Sequence, residues 1–223
     1  DFNFCSFLLN DISQNHLSDI HRAIVGITRA EMLIQEYRPV EAKGILDSLL
    51  NTIDEKIYPE YYCRMIEGLG ACIINPCTIV GVSPFEAIEL WQQSFHVAES
   101  YELKYRYPII FYQLGCTYGA IGDFDRAETA YHRSIDEAKA QGQLKILTKA
   151  LCELGRLYRL QQNVQKAFAP IQESFDIRRE LNDEKNLGIN YYYLGNVYRD
   201  NNEFDKAFEF YQRAEVALDE IGD

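Results

Sequence analysis

The 223-residue sequence is 47% apolar and carries 22 basic against 34 acidic residues, which gives a net charge of −12. This acidic balance argues against non-specific binding to nucleic acid or to an anionic membrane, because both need a basic protein surface. No run approaches the roughly 18 apolar residues of a transmembrane helix. The sequence therefore predicts neither a nucleic-acid partner nor a membrane partner.

Cysteine usage and the first residues favour a cytoplasmic protein. The sequence begins without an initiator Met or a basic n-region, so it does not predict a signal peptide, and we expect it to be an excerpt from a longer chain. It has no C-x-x-C pair and no histidines at paired spacing, so neither a metal site nor a cofactor is predicted. Small buried or half-buried thiols in a reducing compartment are predicted for Cys5, Cys63, Cys72, Cys77, Cys116 and Cys152.

The N-terminal part of the chain predicts helices without a strict repeat. Residues 1–15 have no clear pattern and form an uncertain N-terminal segment. Helices near 17–36 and 40–52 are predicted as a degenerate first pair, because Ala42 lies 45 residues before Ala87. Ala87 in turn lies 40 residues before a matching alanine further along the chain, so this region is an irregular copy of a later pattern.

A second helix pair is predicted at about 58–74 and 84–101. Between the two helices lies a loop at 75–84, where Pro76 and Pro84 interrupt helical structure. The loop makes this copy five residues longer than the later ones.

Three further copies follow at a step of 40 residues. Each begins with Leu-Gly-x-x-Tyr, at Leu114, Leu154 and Leu194, and an alanine follows each leucine by thirteen positions: Ala127, Ala167 and Ala207. Such a fixed-period pattern predicts a helix-turn-helix unit that buries its apolar face by stacking on its neighbours. The glycine allows the two helices to approach closely, and the alanine fills their crossing. The predicted pairs span about 17–52, 58–101, 104–141, 144–181 and 184–221.

These motifs resemble the tetratricopeptide repeat superfamily, in its long variety of about 40 residues; the segment from Tyr193 to Ala207 is the nearest match. The resemblance implies an all-α, right-handed superhelical solenoid of about five antiparallel helix pairs, formed by residues 16–223 as one domain. Two departures stand out. The proline that usually ends the second helix is missing from the three clear copies, and Pro170 falls inside a predicted helix, so a kink or a shifted boundary is expected near 167–170.

The resemblance also implies that the first helix of each pair lines a concave groove. Positions five and two before the repeat leucine, and two and five after it, select a groove-facing set with four cations and no carboxylate. We expect this set to bind a protein or peptide with acidic groups, because the guanidinium group of arginine binds a carboxylate through two hydrogen bonds and Tyr rings pack on apolar side chains. The candidate site residues are Tyr112, Cys116, Lys149, Cys152, Arg156, Arg159, Tyr192, Asn196 and Arg199.

Several alternatives stay open for this groove. The cations could instead pair with carboxylates on neighbouring second helices, such as Glu173 or Asp176. The carboxylate clamp of chaperone-binding family members is not reproduced, because Tyr112, Cys152 and Tyr192 occupy the place of its lysine. A thiol-reactive role is conceivable for Cys116 and Cys152.

Two classes of function compete. The first is a non-enzymatic scaffold or regulatory module that captures a peptide segment of a partner. The second is a domain of a larger effector, such as a transcription regulator or signalling enzyme, that senses a small ligand or signal peptide. No Ser/His/Asp or Cys/His constellation or phosphate-binding loop predicts an enzyme. Self-association through the terminal repeat is a further possibility.

Overall fold

The computed structural model describes residues 19–74 and 83–219. Within these ranges the chain forms ten α-helices and one short 3₁₀ turn, Lys104–Arg106, and no strand. The predictions for residues 1–15, for most of the loop at 75–84 and for the last four residues lie outside the described part. The helices are α1 Asp19–Gln35, α2 Pro39–Leu50, α3 Pro59–Ile74, α4 Pro84–Ser100, α5 Tyr107–Ala120, α6 Phe124–Gln141, α7 Leu144–Leu160, α8 Val164–Glu180, α9 Glu184–Asp200 and α10 Phe204–Asp219.

These bounds confirm the predicted all-α fold of consecutive helix pairs. The main difference is the helix predicted to begin at 104, whose first turn is a 3₁₀ turn and whose α-helix begins at Tyr107. Pro108 explains the difference: a proline inside an α-helix clashes with the carbonyl four residues earlier, here that of Lys104, whereas the first turn tolerates it.

The chain divides into two compact units, residues 1–110 and 111–223. In the first unit, the apolar faces of α1, α2 and α3 form one core, and Leu90 of α4 packs against it. Its buried side chains include Ala23, Ile27, Leu46, Met65 and Leu69. The predicted single solenoid over 16–223 stays a prediction.

A charged group is also buried in the first unit. Glu67, on α3, is 8% exposed and accepts a hydrogen bond from the Ser94 hydroxyl at 3.1 Å. The guanidinium of Arg106 pairs with the same carboxylate. Burial raises the pKa of Glu67, and the positive charge of Arg106 opposes that shift. The 3₁₀ turn that carries Arg106 is therefore tied to α3 and α4.

In the second unit the repeat motif packs as predicted. A methyl group added at Gly115 would lie 2.6 Å from the ring of Tyr131, and one at Gly155 would collide with Ile171, so glycine is required where α5 meets α6 and α7 meets α8. The repeat alanines Ala127 and Ala167 are fully buried. Aromatic rings also pack between the helices: the ring of Tyr198 lies 5.7 Å from that of Phe168 and 5.2 Å from that of Phe210, between centroids.

The turns of the second unit use the expected residues. Gly142 ends α6 in the left-handed conformation, with φ of 66°, and Asn182 and Asn202 adopt the same conformation after α8 and α9. Asp123 and Asn163 begin α6 and α8, each accepting a hydrogen bond from a backbone N–H in the first turn. Glycine and asparagine residues therefore end these helices, and aspartate and asparagine residues begin them.

Pro170 does not shift a helix boundary. Helix α8 is continuous from Val164 to Glu180, and Pro170 is buried within it. Of the two expectations for 167–170, the shifted boundary is therefore wrong, and the kink stays a prediction. Proline removes one helical hydrogen bond, and the burial of the adjacent Ile171 and of Ala167 holds the helix together through that position.

Candidate peptide-binding surface

The nine candidate residues lie on α5, α7 and α9, the first helices of the three repeats of the second unit. We call the side of these helices that carries them the first-helix face. Lys149, Tyr192 and Arg199 are exposed on it, and Tyr112, Cys116, Arg156 and Arg159 are half-buried. The prediction that all nine line an open groove is only partly met, because two of the nine are buried.

The buried two are Cys152 and Asn196, which are 3% and 4% exposed. Cys152 Sγ lies 3.2 Å from the hydroxyl oxygen of Ser174 on α8, and Asn196 Oδ1 accepts a hydrogen bond from the Tyr211 hydroxyl on α10 at 3.0 Å. The second helices therefore cover these two polar groups. Their assignment as residues that line an open groove is wrong, because both side chains are buried.

A carboxylate lies among the candidate residues, contrary to the expectation of none. Glu153 accepts hydrogen bonds from Arg156 Nε at 2.7 Å and from the Tyr193 hydroxyl at 3.2 Å. Burial raises the pKa of Cys116 to about 11, and the negative charge of Glu153 adds to the shift. The Cys116 thiol is therefore protonated at neutral pH, which argues against the thiol-reactive alternative.

A second carboxylate pairs with the other two arginines. Asp200 accepts a hydrogen bond from Arg159 Nε at 2.8 Å and another from Arg199 Nη2 at 2.8 Å. Burial works to raise the pKa of Asp200, but these two arginines together hold it below its usual value. Arg156, Arg159 and Arg199 thus all have a carboxylate partner within the first-helix face.

The predicted alternative named the wrong carboxylates. Glu173 pairs with Lys139 at 2.7 Å, and Asp176 pairs with Arg179 at 3.1 Å. The partners of the groove arginines lie on the first helices. Glu153 is one position before the repeat leucine and Asp200 is six positions after it, and neither position was counted as facing the groove.

Sequence reasoning also missed two cations, Lys145 and Arg178. The pKa of Lys149 is lowered, first by desolvation and then by the positive charges of Lys145 and Arg178, so both cations lie near Lys149. The 40-residue step contains a signal for Arg178: the matching positions hold Ala138 in the preceding repeat and Leu218 in the next. A charged residue at a position that is apolar in the other copies could have been noticed.

The described residues contain no group of three or more His, Cys, Asp or Glu side chains placed to share a metal ion. Each helix in 19–74 and 83–219 is too short or too polar to cross a bilayer. What the first-helix face offers chemically is hydrogen bonding, charge and exposed aromatic surface.

The repeat architecture matches known families. Two family models described as tetratricopeptide repeat match residues 109–141 and 146–216. Residues 109–141 and 146–216 carry tetratricopeptide repeats. The predicted superfamily is thereby confirmed, and the tetratricopeptide-repeat fold supports a protein-interaction scaffold. No curated protein matches the sequence significantly.

Solved structures of low sequence identity share the tetratricopeptide-repeat fold. BtubC (BKLC) from P. vanneervenii aligns with a TM-score of 0.78 at 17% identity, over 99% of this chain and 90% of that one. Apo RapI aligns with a TM-score of 0.70 at 11% identity, over 99% and 91%. A Rap protein complexed with Competence and Sporulation Factor aligns with a TM-score of 0.79 at 16% identity, over 98% of this chain and 59% of that one. These likenesses confirm the predicted fold class of a helix-pair solenoid.

Proposed function

We propose that this chain is a non-enzymatic interaction module that binds an acidic segment of a protein partner on the first-helix face of its second unit. The observation that carries the proposal is the combination, on one face, of an exposed aromatic ring and exposed cations. Tyr192 is 52% exposed, and the ammonium group of Lys149 and the guanidinium of Arg199 reach solvent on the same set of helices.

Each of these groups has a role in holding an extended or helical peptide. The ring of Tyr192 packs 6.1 Å from that of Tyr211 and 6.0 Å from that of Tyr193, between centroids, which supports it from below as a rigid contact for an apolar side chain. Exposed cations draw an acidic segment toward an otherwise acidic protein and speed its association. The Rap protein named above was solved with a bound factor, so a repeat array of this fold can hold a ligand.

The cations of the first-helix face differ in whether they already have a carboxylate partner. Arg156, Arg159 and Arg199 each donate to Glu153 or Asp200, so a peptide carboxylate must compete with an intramolecular partner to reach them. Lys149 forms no ion pair with any described residue, so its charge is available without that competition. We therefore expect Lys149 and Tyr192 to contribute more to binding than the arginines do.

The test is binding of fluorescein-labelled short peptides, rich in Glu and Leu, measured by fluorescence anisotropy. Tyr192→Ala and Lys149→Gln should each weaken binding, by about tenfold for the pair of changes together. Phe204→Ala is the matched control, because Phe204 is an equally exposed aromatic on a second helix, 63% exposed. Binding that resists both changes but falls with Phe204→Ala would move the site away from the first-helix face.

We also propose a cytoplasmic location. Cys63, Cys72, Cys116 and Cys152 are free, buried or half-buried thiols, as predicted for the described cysteines, and this suits a reducing compartment.

The sensing alternative makes a different prediction for the same peptides. A ligand that shifts a larger effector would change the spacing of the repeats on binding, which small-angle scattering of the chain with and without peptide would detect.

A further inference from the structure

The second unit contains a buried arginine with no carboxylate partner among the described residues. Arg178, on α8, is 4% exposed. Its Nη1 donates to the backbone carbonyl of Asn186 at 3.0 Å and to Asn190 Oδ1, both on α9. Its Nε has no hydrogen-bond acceptor among the residues of 19–74 and 83–219. These neutral acceptors orient the guanidinium, but they leave its positive charge uncompensated.

This arrangement is costly and specific to one seam of the repeat array. A buried charge without a counter-ion destabilises a fold, because the charge loses its hydration and gains no ionic partner. The preceding repeat has alanines at the two matching positions, Ala138 and Ala150, and both are fully buried. The seam between α8 and α9 thus replaces a buried alanine pair with Arg178 and Asn190.

Two further cations lie on α7, the helix that Arg178 contacts through Cys152. Arg178 Nη1 lies 3.8 Å from Cys152 Sγ. Lys149 is three residues before Cys152, and Lys145 is four residues before Lys149. The side chains of Lys145, Lys149 and Cys152 therefore lie on one face of α7 in successive turns. Burial raises the pKa of the Cys152 thiol despite the nearby Arg178 charge, so the sulfur supplies no thiolate. Lys145 and Lys149 are exposed, and neither forms an ion pair within the described ranges.

We propose that Lys145, Lys149 and Arg178 form the subsite that receives a carboxylate of the acidic partner segment. The two exposed ammonium groups contact the carboxylate directly, and the buried guanidinium attracts it from beneath the surface. Attraction across a poorly hydrated seam is stronger than between two solvated ions, because the effective dielectric constant is lower there. The bound carboxylate supplies the negative charge that Arg178 lacks. This subsite rests on the proposed function, and it, rather than Arg156, Arg159 and Arg199, is the place of strongest anion attraction.

Two double variants test the subsite by independent routes. Lys145→Gln with Lys149→Gln removes exposed charges, so the fold should be retained. Arg178→Ala with Asn190→Ala installs the residues of the preceding repeat and removes the buried charge, and circular dichroism checks that this variant keeps its helices. Arg179→Gln is the matched control: it is the next residue on α8, 63% exposed and paired with Asp176.

Two probes separate the subsite from the proposed function. The first is a fluorescein-labelled peptide with alternating Glu and Leu and an amidated C-terminus, beside a Gln version with a free C-terminus. The second is sodium succinate, tested by the melting temperature against sodium chloride at equal ionic strength. Both double variants should weaken the better-bound peptide by about tenfold and abolish the succinate effect, and Arg179→Gln should change neither. Whichever peptide binds tells whether side-chain or terminal carboxylates fill the subsite.

The outcomes are distinct. If the parent binds peptide and both double variants bind it equally well, the subsite is overturned and the proposed function survives. If succinate raises the melting temperature of the parent but not of the lysine variant, and neither peptide binds, the anion subsite holds and the proposed function fails. If neither probe acts on the parent, both are overturned.

Discussion

Arg159 and Asp200, 41 residues apart, form an ion pair that joins the first helices of two consecutive repeats. Arg159 Nε donates to Asp200 Oδ2 at 2.8 Å, and the two side chains are only 14% and 24% exposed. Asp200 also accepts hydrogen bonds from Arg199. One carboxylate therefore compensates two of the cations that the sequence assigned to a partner, and it does so while linking α7 to α9.

The lowered pKa of Asp200 predicts a specific dependence of stability on pH. An unfolded Asp titrates near pH 3.9, and the folded pKa lies below that value, so the stabilisation is fully present above about pH 4 and is lost as pH falls through the folded pKa. Asp200→Asn should lower the free energy of unfolding by about 1–2 kcal/mol at neutral pH. Urea denaturation across this pH range should show parent and variant converging in acid.

Asp176→Asn is the control for this pH effect, because the Asp176–Arg179 pair is largely exposed, at 41% and 63%. Its loss should cost less than about 1 kcal/mol. An Asp200→Asn curve that runs parallel to the parent down to acid pH would contradict the assignment.

The buried pair of the first unit should matter more to stability than any exposed pair. Glu67→Gln removes the charge that compensates Arg106, while the amide can still hydrogen bond to Ser94. We expect a loss of about 3–5 kcal/mol, because the substitution leaves a poorly solvated arginine without a counter-ion. Denaturant titration followed by circular dichroism measures it. Glu41→Gln breaks the exposed pair with Arg38 and should change stability little; similar effects from the two would mean that Glu67 is not buried in solution.

Two glycines in helices should respond in opposite directions to alanine. Gly155→Ala forces a methyl group against Ile171 and should cost about 1–3 kcal/mol through overpacking between α7 and α8. Gly44, in α2, is exposed, and a methyl group there meets nothing within 4 Å, so Gly44→Ala should stabilise by about 0.5–1 kcal/mol. Melting temperatures of the two variants and the parent decide the matter. A Gly155→Ala protein as stable as the parent would show that close packing of α7 against α8 does not require glycine at this position.

Helix α10 should exchange its amide hydrogens faster than α7. Helix α10 exposes three large apolar side chains to 59–63%, those of Phe204, Phe208 and Val216. In α7, by contrast, nine residues are buried. Helices with few buried contacts open at lower free energy. Hydrogen exchange by mass spectrometry tests this, and repeating it at several protein concentrations tests self-association. Protection of α10 that grows with concentration would show that a second copy covers these side chains; protection equal to that of α7 in dilute protein would refute the prediction.

The sequence by itself determined the helix pairs of this protein and the contacts inside each pair. The period of 40 residues fixes which leucine, glycine and alanine meet at a helix crossing, because these contacts join positions at constant spacing within one repeat. Gly115 against Tyr131 and the buried Ala127 follow directly from that spacing. Turn residues such as Gly142 also act locally, through their own backbone conformation, so the helix ends could be predicted as well.

Only the tertiary structure decided which charges compensate one another. Arg159 finds Asp200 in the next repeat, and Arg156 finds Glu153 on its own helix, according to side-chain reach and burial rather than to position in the motif. The burial of Cys152, Asn196 and Arg178 depends on the second helices that cover them. The repeat pattern depends on how the backbone of each helix pair packs, and this spacing is visible in the sequence. Which charged side chains stay available to a partner depends on the ion pairs that long side chains form in the folded protein, and these the sequence does not show.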